Sequence, residues 1–146
     1  MAIALALATA GPTGSAWALD PGSILIDTPG GQHRFTIELA DTPGERARGL
    51  MYRRNMRPDH GMLFDFQVEQ PVAFWMKNTP LPLDMLFIDA TGTVVQIAAD
   101  TVPFSETPVP SERPVQAVLE LNAGTSRALG IAPGAVVRHP IFGNTR

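Results

Sequence analysis

The sequence contains no cysteine. This absence excludes disulfide bonds, thiolate nucleophiles, iron–sulfur clusters and cysteine-ligated zinc sites. An oxidising compartment would therefore add no covalent cross-link to this fold. A chain of 146 residues, 45% of which are hydrophobic, is long enough to bury a core without such cross-links. Length and composition are typical of one globular domain.

The sequence also lacks the motifs of several common activities. It has no Gly-x-Ser-x-Gly nucleophile motif, no glycine-rich phosphate-binding loop and no dinucleotide fingerprint. The histidines, His33, His60 and His139, lie far apart in the sequence and follow no metal-ligand spacing. We therefore predict no metal site and no cofactor.

Positive charge is sparse and dispersed along the chain. The formal net charge is -3 at pH 7, and no cluster of lysine and arginine predicts binding to nucleic acid. No basic amphipathic helix predicts binding to a membrane surface. Beyond residue 18 the sequence has no apolar run of the roughly 20 residues that a membrane-spanning helix requires.

The first eighteen residues differ in composition from the rest. Ala2–Ala10 is a predominantly small, apolar run, and a stretch with glycine and proline separates it from Ala16–Ala18. This order is typical of a secretory signal with a small-x-small cleavage site, although no lysine or arginine precedes the run. We predict a signal peptide over residues 1–18, a mature chain that begins near Leu19, and a periplasmic or extracellular location. The alternative is an alanine-rich helix of the fold itself.

Alternating apolar and polar residues between turn signals predict a chain rich in short strands. The predicted strands cover residues 24–26, 35–39, 62–66, 72–77, 83–89, 93–99, 115–121 and 135–139. Three of them carry apolar side chains on both faces, which predicts that both faces are covered. Residues 101–114 contain four prolines and predict an irregular loop.

A first short helix is predicted between the second and third of these strands. Thr42 and Glu45 form a capping-box pattern around Pro43. This pattern predicts a helix that begins at the proline and runs to about Met51.

A second short helix is predicted near the end of the chain. Asn122 is its predicted N-cap, the helix covers residues 123–129, and Gly130 ends it. The expected fold class is therefore mainly β, in a single domain over residues 19–146. Its predicted architecture is a two-sheet sandwich or a flattened barrel with two short helices.

Lys77 and Trp75 form the most distinctive pair in the sequence. Lys77 is the only lysine beside ten arginines, and Trp75 is the only tryptophan beyond residue 18. The alternation of side chains along a strand places both on one face. A cation beside an indole is typical of a small-ligand surface. The alternative is an edge-strand lysine that prevents aggregation, next to a tryptophan of the core.

Neighbouring residues extend this candidate site. Asn78 and Thr79 precede Pro80, a pattern that predicts the end of a strand, where loops often carry functional residues. Asp84 opens the next predicted strand and could pair with Lys77 or with an arginine of the first predicted helix. At a protein surface such an ion pair would be structural and weak.

Four motifs together resemble one protein family. They are Arg48–Met51, Gly61–Phe64, Phe74–Thr79 with Leu83 and Asp84, and Val118–Gly124. In this order they resemble DUF192, a family of unknown function, from about Ile24 to Val137. The resemblance implies a compact β-sandwich in an exported or membrane-anchored protein. It implies no established activity, cofactor or catalytic residue.

Three functions are compatible with this pattern. The first is a periplasmic small-ligand-binding or accessory module, whose ligand is anionic or sugar-like. Its candidate binding residues are Arg48, Trp75, Lys77, Asn78, Asp84 and Glu120. The second is a structural or protein-interaction domain of the cell envelope, in which the motifs mainly build the core. The third is a hydrolase or lyase of envelope material that uses Lys77 with Asp84 or Glu120, which requires these residues to converge on one cleft.

Overall fold

The structure, a computed structural model, describes residues 19–146. The predicted signal peptide, residues 1–18, lies outside the described residues. Over the described range the chain forms nine strands, two short α-helices and one 3₁₀ turn. The strands are β1 (Ser23–Thr28), β2 (Gly31–Ala40), β3 (His60–Gln70), β4 (Ala73–Phe74), β5 (Leu83–Ile88), β6 (Val94–Ala98), β7 (Val109–Pro110), β8 (Val115–Asn122) and β9 (Val136–Arg138). The helices are α1 (Pro43–Arg48) and α2 (Thr125–Leu129), and the 3₁₀ turn is Pro140–Phe142.

Seven of the strands form one sheet in the order β6-β5-β8-β3-β2-β1-β9. All neighbouring strands are antiparallel except β2 and β3, which are parallel and are connected through α1. The two edges of the sheet meet at one end, where Thr93 pairs with Val136 and the Val94 N–H donates to the Ala135 carbonyl at 2.8 Å. The sheet therefore curls into a half-barrel. The predicted mainly β fold with two short helices is confirmed in this form, with β4 and β7 as a small second sheet.

Apolar side chains cover both faces of the main sheet, as the sequence predicted. The inner core receives side chains from all seven strands and fills the inside of the curl. Its members are Ile24, Ile26, Phe35, Ile37, Leu63, Leu86, Ile88, Val94, Ala117, Leu119, Leu121, Ile131, Ala135 and Val137. The outer core lies on the opposite face of β3, β5 and β8. Its members are Ala40, Leu50, Met62, Phe64, Met76, Leu81, Leu83, Met85, Phe87, Val115 and Val118.

The predicted capping box at the start of α1 is confirmed. The Glu45 N–H donates to the Thr42 hydroxyl at 3.2 Å, and the Thr42 N–H donates to the Glu45 carboxylate at 3.2 Å. The helix ends at Arg48, three residues before the predicted end. Gly49 follows with φ 48°, and a Cβ there would lie 3.0 Å from the Phe64 ring. A positive φ and this close approach both require glycine, so the chain turns at this point.

The predicted N-cap of the second helix is wrong, although its end is confirmed. Asn122 is the last residue of β8, and its side-chain amide donates to the Met56 carbonyl at 2.9 Å. The helix begins later, after Gly124, which has no side chain to cap it. Gly130 adopts the left-handed conformation that ends the helix, with φ 68°.

The predicted strand over residues 72–77 is also wrong. Only Ala73–Phe74 is extended and paired, and its partner is Val109–Pro110, inside the stretch predicted to be an irregular loop. Prolines at positions 71, 80, 108 and 110 have no N–H to donate, which limits pairing to this short ribbon. The segment Phe74–Thr79 therefore lies outside the main sheet and covers the outer core.

Candidate functional site

A concave pocket of about 300 Å³ opens on the outer face of the main sheet. Its walls are α1 and the turn after it, the outer faces of β3 and β8, and the segment Phe74–Thr79. The lining residues are Arg46, Ala47, Arg48, Gly49, Leu50, Met51, Phe64, Phe66, Ala73, Phe74, Trp75, Lys77, Thr79 and Glu120. The volume is within the range of small-molecule sites. Four of the six predicted site residues, Arg48, Trp75, Lys77 and Glu120, are among these lining residues.

Asn78 connects the segment Phe74–Thr79 to the turn after α1. The Tyr52 N–H donates to the Asn78 carbonyl at 2.7 Å, and the Asn78 side-chain amide donates to the Tyr52 hydroxyl at 3.1 Å. Asn78 has φ 53°, a left-handed conformation that asparagine tolerates better than most residues. Its role is therefore to hold the segment in place, and it does not line the pocket.

The other side of the segment is held by the loop that follows β6. The Met76 N–H donates to the Ser105 carbonyl at 2.8 Å, and the Phe104 N–H donates to the Thr79 carbonyl at 3.1 Å. The Thr79 hydroxyl donates to the Lys77 carbonyl at 2.9 Å. Backbone contacts on both sides thus fix the positions from which Trp75 and Lys77 project.

Trp75 and Lys77 form a cation–π pair at the mouth of the pocket. The Lys77 ammonium lies 5.0 Å from the centroid of the Trp75 ring, and 44% of Trp75 is exposed. The ammonium also lies 4.0 Å from the Glu106 carboxylate. The two side chains lie together as the sequence predicted, although the strand over residues 72–77 from which this was predicted is not formed. Since Trp75 is not buried and Lys77 is not alone, the alternative of a core tryptophan beside an isolated lysine does not describe this site.

Two arginines of α1 line the pocket, but they differ in their contacts. The Arg46 guanidinium donates to the carbonyls of Asp41 at 2.7 Å and Asp65 at 3.0 Å, and it lies 5.3 Å from the Phe66 centroid. Arg48 is exposed, and within residues 19–146 its guanidinium makes no ion pair or hydrogen bond. Arg48 is therefore the arginine that is available to an anion.

The apolar wall of the pocket is aromatic. Phe74 packs edge-to-face against Phe64, with ring centroids 5.0 Å apart, and against Phe66, with centroids 6.0 Å apart. Such pairs fix ring orientation and add to the free energy of burial. Phe64, Phe66 and Arg46 were not among the predicted site residues. The alternation of β3, which puts Phe64 and Phe66 on one face, was the signal that could have found the two rings.

Glu120 is the buried polar residue of the pocket. It lies in β8 opposite Met62 of β3 and Met85 of β5, on the same face as the outer core. Only 4% of the residue is exposed, and burial raises the pKa of its carboxyl to about 8. Residues 19–146 donate no hydrogen bond to this carboxyl, and no fully buried polar side-chain atom of that range lacks a partner, so the carboxyl oxygens are accessible from the pocket. A carboxyl with a raised pKa that opens onto a cleft is a feature of functional sites.

Asp84 lies on the opposite face of β5 and is not part of the pocket. It is completely buried, and its carboxylate accepts hydrogen bonds from the Ser126 N–H at 2.9 Å, the Ser126 hydroxyl at 2.7 Å and the Asp100 N–H at 3.0 Å. Burial alone would raise the pKa of Asp84, but these hydrogen bonds hold it below its ordinary value. Asp84 thus caps the N-terminus of α2, which lacks a cap of its own.

The predicted ion pair of Asp84 with Lys77 or with an arginine of α1 is therefore wrong, since the Asp84 carboxylate binds Ser126 and the Asp100 N–H instead. The alternation along β5 points Leu83 and Met85 into the outer core and Asp84 to the other face. The version of the enzyme hypothesis that combines Lys77 with Asp84 fails for the same reason.

A charge cluster outside the pocket fixes one of its walls. Arg53 donates two hydrogen bonds to Glu38 of β2, one of them at 2.7 Å, and His60 of β3 lies 3.0 Å from the same carboxylate. The hydrogen bonds from Arg53, the largest cause, lower the pKa of Glu38 to about 2. The cluster holds the turn after α1 against the two parallel strands.

Among residues 19–146 no three His, Asp or Glu side chains are grouped so that they could hold a metal ion. Within the same range, no helix has both the length and the hydropathy to cross a bilayer. The polar and charged side chains that line the pocket, beside the aromatic rings, are those of Arg46, Arg48, Lys77, Thr79 and Glu120.

The fold and the pocket together define a class of protein, a small β half-barrel with a cation-lined pocket on its outer face. The family model that matches the chain, over residues 25–139, is DUF192, described as an uncharacterized ACR. The chain belongs to the DUF192 family, as its four motifs indicated. No curated protein matches the chain.

Two solved structures of bacterial proteins are similar to this one. A protein of Sinorhizobium meliloti 1021, described as "a putative transcription regulator", is 52% identical with a TM-score of 0.80, and the match covers 82% of this chain and 93% of that one. A protein of unknown function from Novosphingobium aromaticivorans DSM 12444 is 41% identical with a TM-score of 0.78. That match covers 80% of this chain and 83% of the other. Both likenesses extend over most of the half-barrel.

Proposed function

We propose that this protein is exported and binds a small organic anion in the pocket between α1 and the segment Phe74–Thr79. One observation carries the proposal: the Trp75–Lys77 pair and Arg48 converge on a single concave site of about 300 Å³. Two cations attract an anion, and an indole that is 44% exposed offers a face on which a ring can stack. Export is supported by the signal-like pattern of residues 1–18, and an exported protein of this kind is periplasmic or extracellular.

Thermal shift and titration calorimetry test the proposal with benzoate, phenylacetate, glucuronate, citrate and inorganic phosphate as probes. At least one organic anion is expected to raise the melting temperature of the wild-type protein by mass action. Lys77→Met removes a charged contact while keeping the length of the side chain. It is expected to weaken the binding of that anion by about tenfold or more.

Arg113→Met is the matched control for Lys77→Met. Arg113 is exposed, lies outside the pocket, and makes no ion pair with a residue of the described part. The control removes the same unit of charge and is expected to leave binding unchanged. Equal losses of affinity in the two variants, or no binding of any organic anion to the wild type, would contradict the proposal.

A second candidate, a protein-interaction domain of the cell envelope, is favoured by three exposed apolar side chains near the same segment. Tyr52 is 68% exposed, Val102 is 69% exposed and Phe104 is 62% exposed. Tyr52 and Phe104 also have positive φ angles of 67° and 63°, which cost free energy for bulky residues. If this surface is the functional one, the double variant Tyr52→Ser/Phe104→Ser abolishes the cellular phenotype of the wild type, whereas Lys77→Met preserves it.

The hydrolase or lyase hypothesis now depends on Lys77 with Glu120, since both line the pocket. Product analysis of the same probe mixtures, by mass spectrometry before and after incubation, separates turnover from binding.

A further inference from the structure

Glu120 is the one buried carboxyl that faces the pocket, within the part of the chain that the structure describes. Only 4% of the residue is exposed, and its carboxyl oxygens are accessible from the pocket alone. No residue of the described range donates a hydrogen bond to them. A ligand atom at the floor of the pocket can therefore form a hydrogen bond with this carboxyl without displacing a protein partner.

The environment of Glu120 favours a neutral carboxyl. Its cross-strand neighbours are Met62 and Met85, which offer no charge and no hydrogen bond. Burial among them raises the pKa to about 8, so the group is mostly protonated at pH 7. The other charged groups that line the pocket are Arg46, Arg48 and Lys77. The protonated carboxyl is a hydrogen-bond donor.

The pocket therefore has three chemically distinct zones. Arg48 and Lys77 at the mouth attract a negative charge, and Phe74 and Trp75 beside them offer aromatic surface. Glu120 at the floor offers an O–H. A volume of about 300 Å³ equals that of roughly ten water molecules, which suits one six-membered ring with two substituents.

We infer that the ligand is a ring carboxylate with a hydroxyl or carbonyl oxygen at the end opposite the carboxylate, and that Glu120 donates a hydrogen bond to that oxygen. This inference rests on the proposed function, since it names the ligand class of the same pocket. An ammonium at the inner end is disfavoured, because it and an ionised Glu120 would both have to be desolvated between two methionines.

The first test compares three probes by titration calorimetry at pH 7: 4-hydroxyphenylacetate, 4-methylphenylacetate and 4-(aminomethyl)benzoate. The methyl compound has nearly the shape of the hydroxyl compound but no oxygen at the inner end. The hydroxyl compound is expected to bind about tenfold more tightly than the methyl compound. Equal affinities, or tightest binding of the aminomethyl compound with release of a proton, would overturn the inference.

The second test uses variants of Glu120 in the full chain. Glu120→Gln retains size and a donor, so it is expected to keep the preference for the hydroxyl compound. Glu120→Leu removes the donor and is expected to abolish that preference. Circular dichroism checks that each variant is folded. If Glu120→Leu does not fold, the inference is tested by the pH dependence of binding in wild type and Glu120→Gln.

The pH dependence of binding separates the neutral from the ionised carboxyl. Wild-type affinity for 4-hydroxyphenylacetate is expected to fall about tenfold between pH 7 and pH 9, as Glu120 ionises, whereas Glu120→Gln is expected to lack this fall. Arg46, Arg48 and Lys77 are present in both proteins, so the two pH profiles differ only through the residue at position 120. An identical pH profile in wild type and variant would contradict the inference.

Failure of the inference and failure of the proposed function give different results. If an organic anion binds in a Lys77-dependent manner but ring carboxylates show no hydroxyl preference, the inference fails and the proposed function stands. If no organic anion binds the wild-type protein, both fail.

Discussion

Two buried acidic residues of neighbouring strands, Glu120 and Asp84, show that the face of the sheet to which a side chain points separates a pocket residue from a structural one. Both are buried, and both were candidate site residues in the sequence. Glu120 points to the outer face, lacks a protein partner within the described range and lines the pocket. Asp84 points to the inner face and is saturated by hydrogen bonds from Ser126 and Asp100. The alternation of side chains, fixed by strand register, separates the two roles.

Asp84→Ala is expected to destabilise the protein by about 2–4 kcal/mol, because it leaves the two buried donors of Ser126 and the partly buried Asp100 N–H without an acceptor. Urea denaturation at pH 7 measures this change. The pKa of Asp84 is lower in the folded protein than its ordinary value of 3.8. Its contribution to stability is therefore present above pH 3.8 and is lost as the pH falls through the folded-state pKa.

Asp100→Asn is the control for this prediction. It keeps the Asp100 backbone N–H that binds Asp84 and removes only an exposed ion pair with Arg127. Exposed pairs of this kind contribute about 1 kcal/mol or less. If Asp84→Ala cost no more than Asp100→Asn, the capping role of Asp84 would be wrong.

The elements of the main sheet were readable from the sequence, whereas the small second sheet was not. Strands such as β3 and β5 alternate or run apolar over five or more residues, so hydrophobic pattern alone identifies them. The ribbon of Ala73–Phe74 and Val109–Pro110 is two residues long, and its pairing depends on contacts far apart in sequence. The same limit applies to α2, whose cap comes from Asp84, 41 positions before the first residue of the helix. Sequence rules for caps consider only local residues.

The 3₁₀ turn near the C-terminus is tethered to the start of β1 through His139. This histidine is completely buried; its Nε2 lies 2.8 Å from the Pro21 carbonyl, and its Nδ1 accepts a hydrogen bond from the Ile141 N–H. A carbonyl can only accept, so Nε2 carries the proton and the ring is neutral. Burial, the largest cause, lowers the pKa of His139 below 6.5.

His139 is expected to make the protein less stable as the pH falls from 7 towards 5. In this range the unfolded chain binds a proton at His139 and the folded protein does not, so stability decreases by up to about 1.4 kcal/mol per pH unit. Urea denaturation of wild type and His139→Gln at several pH values measures the difference, because the two proteins differ only at this residue. Parallel pH profiles would show that His139 is not held neutral.

For the whole molecule, the fold class could be predicted from the sequence, but the shape of the pocket could not. The sequence singled out the segment Phe74–Thr79 because it holds the only lysine of the chain and the only tryptophan beyond residue 18. The structure places both of these residues in the lining of the pocket. The pocket itself is assembled from α1, β3, β8 and the segment Phe74–Thr79. Only the tertiary fold brings Arg48 and Glu120, 72 residues apart, to the same cavity.

The central claim, that this pocket binds a small organic anion, is tested most directly by the fluorescence of Trp75. In a Trp17→Phe chain, Trp75 is the only indole, and it lies at the mouth of the pocket with Lys77 at 5.0 Å. Titration with 4-hydroxyphenylacetate and the other organic anions is expected to change its emission in a saturable manner, and Lys77→Met is expected to shift the midpoint at least tenfold higher. No saturable change with any of these anions, or the same midpoint in Lys77→Met, would contradict the claim.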